Sequence, residues 1–270
     1  MNQVTDWICL WRELVVATSE RDQDSTAKAE RGVRNLNRRW AKTDSTRDFI
    51  VAQLDAHPGA TLVDIGAGTG RWAITFAQHA RQITAIDSST TMIQAMRENL
   101  RAEKIENVRV VQGTWPHVQI EPHDFSFCSH AMYASADFPA FIRSMMQITR
   151  RVCFLLMRAT TINGIMAEAA THLWGHPYDS PNFQVAYNAL LQMGIFPNVL
   201  MADTGLWDPW TSPSLDAALV EIKRRFGLTQ TNAHDEFLTD LLRRRLTLVE
   251  DKYVWTPSVR SVLVYWKVNL

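Results

Sequence analysis

The residues best suited to chemistry begin with Asp64 and three glycines, Gly66, Gly68 and Gly70, in the stretch TLVDIGAGTG of residues 61–70, with Asp87 following seventeen residues after Gly70. Alternate glycines let the backbone bend sharply and approach a ligand that a Cβ would hold off. The spacing is G-x-G-x-G, and Arg71 stands where a dinucleotide fingerprint, G-x-G-x-x-G, would carry its last glycine. A carboxylate at Asp64 would repel a pyrophosphate and welcome an amino group. A carboxylate at Asp87, closing a second apolar run, can accept both hydroxyls of a ribose. The ligand implied is a ribonucleoside that carries a cation rather than a phosphate.

This combination resembles the class I S-adenosylmethionine-dependent methyltransferases. The resemblance is specific over residues 61–99 and architectural beyond them. It implies that Asp64, Gly66, Gly68 and Gly70 form the family's first motif, that Asp87 ends its second strand, and that S-adenosylmethionine is the cofactor. Ala67, Ser88, Met92, Gly113, Thr114, Trp115 and Ser129 would complete the cofactor site. Many relatives carry an aspartate after the third strand for the adenine amino group. Here the stretch reads Gln112-Gly113-Thr114-Trp115, so Gln112, Thr114, a backbone carbonyl or stacking on Trp115 must take that part.

A second set, His130, Tyr133 and Arg158, follows the fourth and fifth apolar runs, and ligands of open α/β sheets bind at the carboxyl ends of the strands. By the resemblance, His130 lies where the methyl group would point. Imidazole, with an ordinary pKa of about 6.5, can take a proton from a hydroxyl, thiol or ammonium group. The other reading of His130 is a loop histidine bonded to the backbone. Tyr133 could orient the acceptor, and Arg158 could hold a carboxylate or phosphate bidentately. Of ten tryptophans, Trp7, Trp11, Trp115, Trp174, Trp207 and Trp210 are expected at or above the crevice, lining a pocket or packing a cap. Trp7, Trp11 and Tyr187 join Arg158 as acceptor-site candidates. Trp40, Trp72, Trp255 and Trp266 are assigned to the core or a flank. His172 and His176 have the i, i+4 spacing used for zinc, but Gly175 and Pro177 break a helix there and no acidic residue completes HExxH, so no metal site is expected.

The elements that position these residues follow from periodicity. Leu62, Val63 and Ile65 make a doubly buried strand, and Trp72, Ala73, Phe76, Ala77 and Ala80 repeat at helical spacing after the glycines. Asp44 or Ser45 caps a preceding helix, and Ser88 and Ser89 cap one carrying Met92, Ile93, Met96 and Leu100. Strands are expected at 82–86, 108–111, 125–128, 152–157, 198–203 and 259–268, and helices from Phe138, at 164–174 and at 183–193. Trp7, Leu10, Trp11, Leu14 and Val15 form one helical face, and Val33, Leu36 and Trp40 form a second. Ser212 with Pro213, and Asn232 with Asp235, open two helices in an insertion of about 206–257. The expected fold is α/β, a seven-stranded mostly parallel Rossmann-like methyltransferase sheet with helices on both faces. Residues 1–45 form a helical cap, and residues 46–270 the S-adenosylmethionine-binding domain, including a helical insertion before the last strand.

Lys plus Arg and Asp plus Glu each number 28, so no general pull toward nucleic acid is expected. His123, just ahead of the fourth strand, is read as a polar loop residue. Cys9, Cys128 and Cys153 lack CxxC spacing and form neither a disulfide framework nor a zinc site. No apolar run reaches the length of a membrane span, so a cytoplasmic protein is expected. The function expected is methyl transfer from S-adenosylmethionine to a small-molecule acceptor, anionic or aromatic. The rivals are an RNA or protein methyltransferase, against which stands the run Cys128-Ser129-His130-Ala131 in place of an Asn-Pro-Pro-Tyr type motif, and a non-catalytic S-adenosylmethionine-binding subunit or sensor. The sequence leaves the acceptor atom and the oligomeric state open.

Overall fold

A computed structural model describes residues 5–21, 43–202, 207, 209–256 and 259–268. The second N-terminal helix expected around Val33, Leu36 and Trp40 lies outside these residues. The helices are α1 Trp7–Arg21, α2 Ser45–Asp55, α3 Arg71–Phe76, α4 Thr90–Ala102, α5 Phe138–Gln147, α6 Ile165–Trp174, α7 Phe183–Gln192, α8 Leu215–Phe226 and α9 Asp235–Arg245. The strands are β1 Thr61–Ile65, β2 Gln82–Asp87, β3 Val108–Gln112, β4 His123–Ser129, β5 Thr149–Thr160, β6 Asn198–Met201, β7 Trp210–Ser212, β8 Thr247–Val249, β9 Lys252–Trp255 and β10 Val259–Lys267.

Seven strands form one sheet in the order β3-β2-β1-β4-β5-β10-β6. Only β10 runs against its neighbours β5 and β6. The strand order reverses between β1 and β4, and a crevice opens at such a switch point. All five residues of β1 are buried, because helices cover both faces of the sheet. Val63 and Ile65 join a core with Trp11 of α1, Phe138 and Phe141 of α5 and Val185 of α7. Leu62 joins the opposite core with Ile50, Trp72, Phe76, Ile93 and Met96 from α2, α3 and α4. Asp44, Ser89 and Asp137 cap α2, α4 and α5 by accepting backbone N–H bonds, each worth about 1 kcal/mol.

Several boundaries differ from expectation for identifiable reasons. α3 ends at Phe76 rather than Ala80, and the Asn107 amide donates to the carbonyls of Ala77 and Ala80 at 2.8 and 2.9 Å. β5 does not stop at Met157. Its parallel pairing with β4 ends at Ser129–Leu156, but β10 pairs with it out to Thr160, so Arg158 lies inside the strand. His123 is buried rather than a loop residue. Its Nδ1 meets the Glu121 carbonyl at 2.6 Å, which must accept, so Nε2 accepts from the Thr84 hydroxyl at 3.0 Å.

The segment before β10 is not purely helical. β7, β9 and β8 form a small antiparallel sheet. Ser212 belongs to β7 and accepts the Trp255 indole N–H at 2.9 Å, while Ser214 caps α8. Residues of α6, α8 and α9 close over Trp255 as a third core.

Candidate active site

The glycine loop leaves the end of β1 with three left-handed residues, and their surroundings separate their roles. A Cβ on Gly66 would stand 2.1 Å from the Cβ of Ala131, and one on Gly70 would stand 2.5 Å from Cγ of Met96. These two glycines are required by the protein's own packing. Gly68, at φ +57°, has nothing within 4 Å of where a Cβ would be, so it faces open space. Asp87 fixes this tip. One carboxylate oxygen accepts the Gly68 N–H at 2.8 Å and the other accepts the Ser89 N–H at 2.9 Å. Ala67 N–H donates to the Ile86 carbonyl at 2.8 Å, and Gly113 N–H to the Asp87 carbonyl at 3.0 Å.

Asp64 lies fully buried beneath the loop. Burial, reinforced by the charge of Asp87 and partly offset by the Ala73 amide, pushes its carboxyl up to about 8. Its Oδ2 is buried with no hydrogen-bond partner. A buried acid below the loop, a second acid at its tip and an outward-facing glycine suit a ligand that brings hydroxyls and positive charge. A phosphate would meet two carboxyl groups. The residues present therefore fit S-adenosylmethionine.

On the side expected to receive adenine, the side chains are partly committed. The Gln112 amide donates to Thr90 Oγ1 at 2.9 Å. The Trp115 indole donates to the Phe141 carbonyl at 3.3 Å and meets that ring edge-on. Gly113 makes room for Val118, which a Cβ would approach to 2.8 Å. Ser88 and Thr114 are exposed, Met92 is half-buried, and Ser129 ends β4.

His130 follows Ser129 with φ +61°, a conformation uncommon outside glycine. Its N–H donates to the Leu156 carbonyl at 3.1 Å, and both ring nitrogens are shielded from solvent. Its ring lies 5.8 Å from that of Tyr133 and 6.2 Å from that of Trp207. Trp207 comes from the insertion and is anchored by its indole N–H on Ser261 of β10 at 3.2 Å. The Tyr133 hydroxyl oxygen accepts the Arg158 backbone N–H at 2.6 Å, and the Arg158 guanidinium lies 4.7 Å over the Tyr133 ring. Burial pushes the Tyr133 phenol up, with Arg158 partly opposing.

The remaining candidates scatter. Trp11 is fully buried against Phe138 and Tyr133, its indole N–H on the Ser135 carbonyl at 2.8 Å. It backs Tyr133 and has no face left for an acceptor. Trp7 meets Tyr178 edge-on at 6.0 Å. Tyr187 packs on Phe183 within α7, Trp174 packs on Phe226, and Trp210 stacks on Trp255. His172 stacks on Phe237 at 3.6 Å, and no group of three or more potential metal ligands occurs among the described residues. Sequence reasoning missed Ala131 and Met96, the partners of two loop glycines, and Gln184, whose amide N–H donates to the Thr160 carbonyl. Nothing local marks them, since each acts across the fold.

Comparison with known proteins agrees with this geometry. Residues 62–151 match a methyltransferase domain family. Ribosomal protein L11 methyltransferase of Acetivibrio thermocellus is 31% identical over 85 residues, 30% of this chain and 27% of that protein. The chain thus spans only about a quarter of that relative. The YcgJ protein of Bacillus subtilis superposes with a TM-score of 0.54 at 16% identity, covering 83% of this chain and 98% of that one. Magnesium protoporphyrin IX methyltransferase of Synechocystis, with bound S-adenosylhomocysteine, superposes at 0.51 with 16% identity, covering 71% and 94%. Residues 62–151 thus carry a methyltransferase domain, and the sheet order and glycine loop around it are those of the class I S-adenosylmethionine-dependent methyltransferase fold.

Proposed function

We propose that this protein transfers a methyl group from S-adenosylmethionine to a small-molecule acceptor held at the ends of β4 and β5. The observation that carries the reading is the contact of Gly66 with Ala131, which sets the cofactor loop edge to edge with the His130 turn. When bound, S-adenosylmethionine supplies an electrophilic methyl group and departs as S-adenosylhomocysteine, the electron pair of the broken bond remaining on sulfur. Gly68 and Asp87 would hold its ribosyl end. Asp64 gives the loop an acid that a positively charged ligand would ionise. His130 takes the proton that the acceptor's nucleophile gives up, and Tyr133 and Trp207 wall the turn from water.

Alignment of two bound reactants can supply about 7–11 kcal/mol of such a barrier, and a positioned base about 10²–10⁴-fold more in rate. The balanced charge of the chain and the small-molecule acceptor named for one fold neighbour, magnesium protoporphyrin IX, favour a small acceptor over RNA or protein. The test is to incubate the protein with methyl-labelled S-adenosylmethionine and a fractionated cell extract. Label in a new low-molecular-weight product, resolved from S-adenosylmethionine itself, is expected. New label confined to RNA or protein would assign a macromolecular acceptor, and label remaining only in S-adenosylmethionine would leave a binding protein without transferase activity.

A further inference from the structure

Resting on the methyl-transfer reading, the geometry points to an anionic acceptor: a compact molecule whose carboxylate or phosphate is held by Arg158 while its nucleophile faces His130. Three contacts fix Arg158. Its backbone N–H donates to Tyr133 Oη at 2.6 Å, its guanidinium lies 4.7 Å over the Tyr133 ring, and Nη2 donates to the Pro181 carbonyl at 3.4 Å. None of these neutralises it. Among the described residues no carboxylate pairs with Arg158, and its Nε is buried without a hydrogen-bond partner.

Beside it stands a second open group. Gln184 donates its amide N–H to the carbonyl of Thr160, two residues along the same strand from Arg158, and its Oε1 is buried and unpartnered. An Arg158 Nε–H shielded from water with its bond unmade is costly for the protein alone. An oxyanion supplies both the countercharge and the acceptor, and the planar guanidinium fork suits carboxylate and phosphate alike. Gln184 Oε1 can take a hydroxyl or amino hydrogen next to that anion. Tyr133 joins the two ends of the site, with the guanidinium at 4.7 Å and the His130 ring at 5.8 Å. The anion and the nucleophile of the acceptor are thus held about one aromatic ring apart, and Tyr133 is a positioning residue that acts through Arg158.

The test uses the full chain saturated with S-adenosylhomocysteine and follows the Nε–H resonance of Arg158 by nitrogen-15 NMR, assigned by its loss in Arg158→Lys. Benzoate, phenyl phosphate and the neutral benzamide are the probes. A saturable shift is expected with benzoate or phenyl phosphate but not with benzamide, and the anion that binds separates carboxylate from phosphate. Arg158→Lys keeps the charge but loses the fork, so it should weaken that anion about tenfold or more, with S-adenosylhomocysteine affinity nearly unchanged. The inference is overturned if neither anion moves the resonance, if benzamide binds as well as the anions, or if Arg158→Lys leaves anion affinity intact. Failure of the wild type to bind S-adenosylhomocysteine would instead remove the methyl-transfer reading, and the anion titration can be read without it.

Discussion

Gly66 and Ala131 are packed so closely that a Cβ on the glycine would lie 2.1 Å from the alanine Cβ, which couples the cofactor loop to the turn that carries His130. Gly68, two residues on, has no neighbour within that range. The same substitution should therefore have opposite signatures at the two sites. Gly66→Ala must displace the 131 backbone and adopt a left-handed φ, and should cost roughly 2–4 kcal/mol of stability. Gly68→Ala bears only the conformational cost, about 1–2 kcal/mol, but its methyl enters the ligand's space, so cofactor affinity should fall more than stability. Urea denaturation and calorimetry on both variants separate these effects. Equal losses of affinity and stability at both positions would contradict the division of roles.

Asp64 links stability and binding to pH. Its carboxyl is held protonated up to about 8 in the folded chain, against about 3.9 in an unfolded one. Between those values the folded state binds the extra proton, so this stabilisation is fully present below about pH 4 and is lost as pH rises to about 8. Asp64→Asn removes the titration and should make the ligand-free protein more stable than the wild type at pH 8, by an amount on the order of a few kcal/mol. A cationic ligand favours the carboxylate, so S-adenosylmethionine binding at pH 7 should release a proton, read as a buffer-dependent calorimetric enthalpy. An Asp64→Asn protein with an unchanged stability profile between pH 5 and 8 would show that Asp64 is ionised throughout.

Trp11 is a core residue, fully buried between α1 and α5. Trp11→Ala should cost about 3–5 kcal/mol in urea denaturation, and Trp7→Ala, at the partly buried start of α1, clearly less. A Trp11→Ala protein of normal stability that had lost turnover would return Trp11 to the acceptor site.

His130→Ala should lower turnover about 10²–10⁴-fold with cofactor affinity nearly unchanged. The acidic limb of the pH–rate profile should disappear with it. A similar rate and the same limb in both proteins would assign the proton transfer elsewhere.

The parts of the fold and site that were legible in the sequence are those written locally. The apolar run of β1, the glycine spacing and the acid that closes β2 are all read within thirty residues, and each caps or turns its own segment. What stayed hidden depends on partners far along the chain. The glycines look alike in sequence, but Gly66 answers to Ala131, Gly70 to Met96, and Gly68 to open space. Arg158 reads as the residue after a strand because the apolar run stops at Met157. It is held inside β5 by β10, about a hundred residues later. The bond from the Arg158 N–H to the Tyr133 hydroxyl is likewise hidden, since it joins residues twenty-five apart. The small sheet of β7, β8 and β9 escaped notice because its strands are three or four residues long, too short for alternation to register.

The most direct measurement of the central claim is calorimetric binding of S-adenosylmethionine, S-adenosylhomocysteine and NAD to the wild type and to Asp87→Ala. Both Asp87 oxygens accept backbone N–H bonds, so this variant would lose the proposed ribose contact and loosen the loop together. Charge-assisted bonds of about 1.5–3 kcal/mol translate into roughly ten- to a hundredfold weaker binding. The account predicts that the wild type binds both sulfur nucleosides and not NAD, and that Asp87→Ala loses affinity on that scale while remaining folded. Binding of NAD in place of S-adenosylmethionine, or an unchanged affinity in Asp87→Ala, would contradict it.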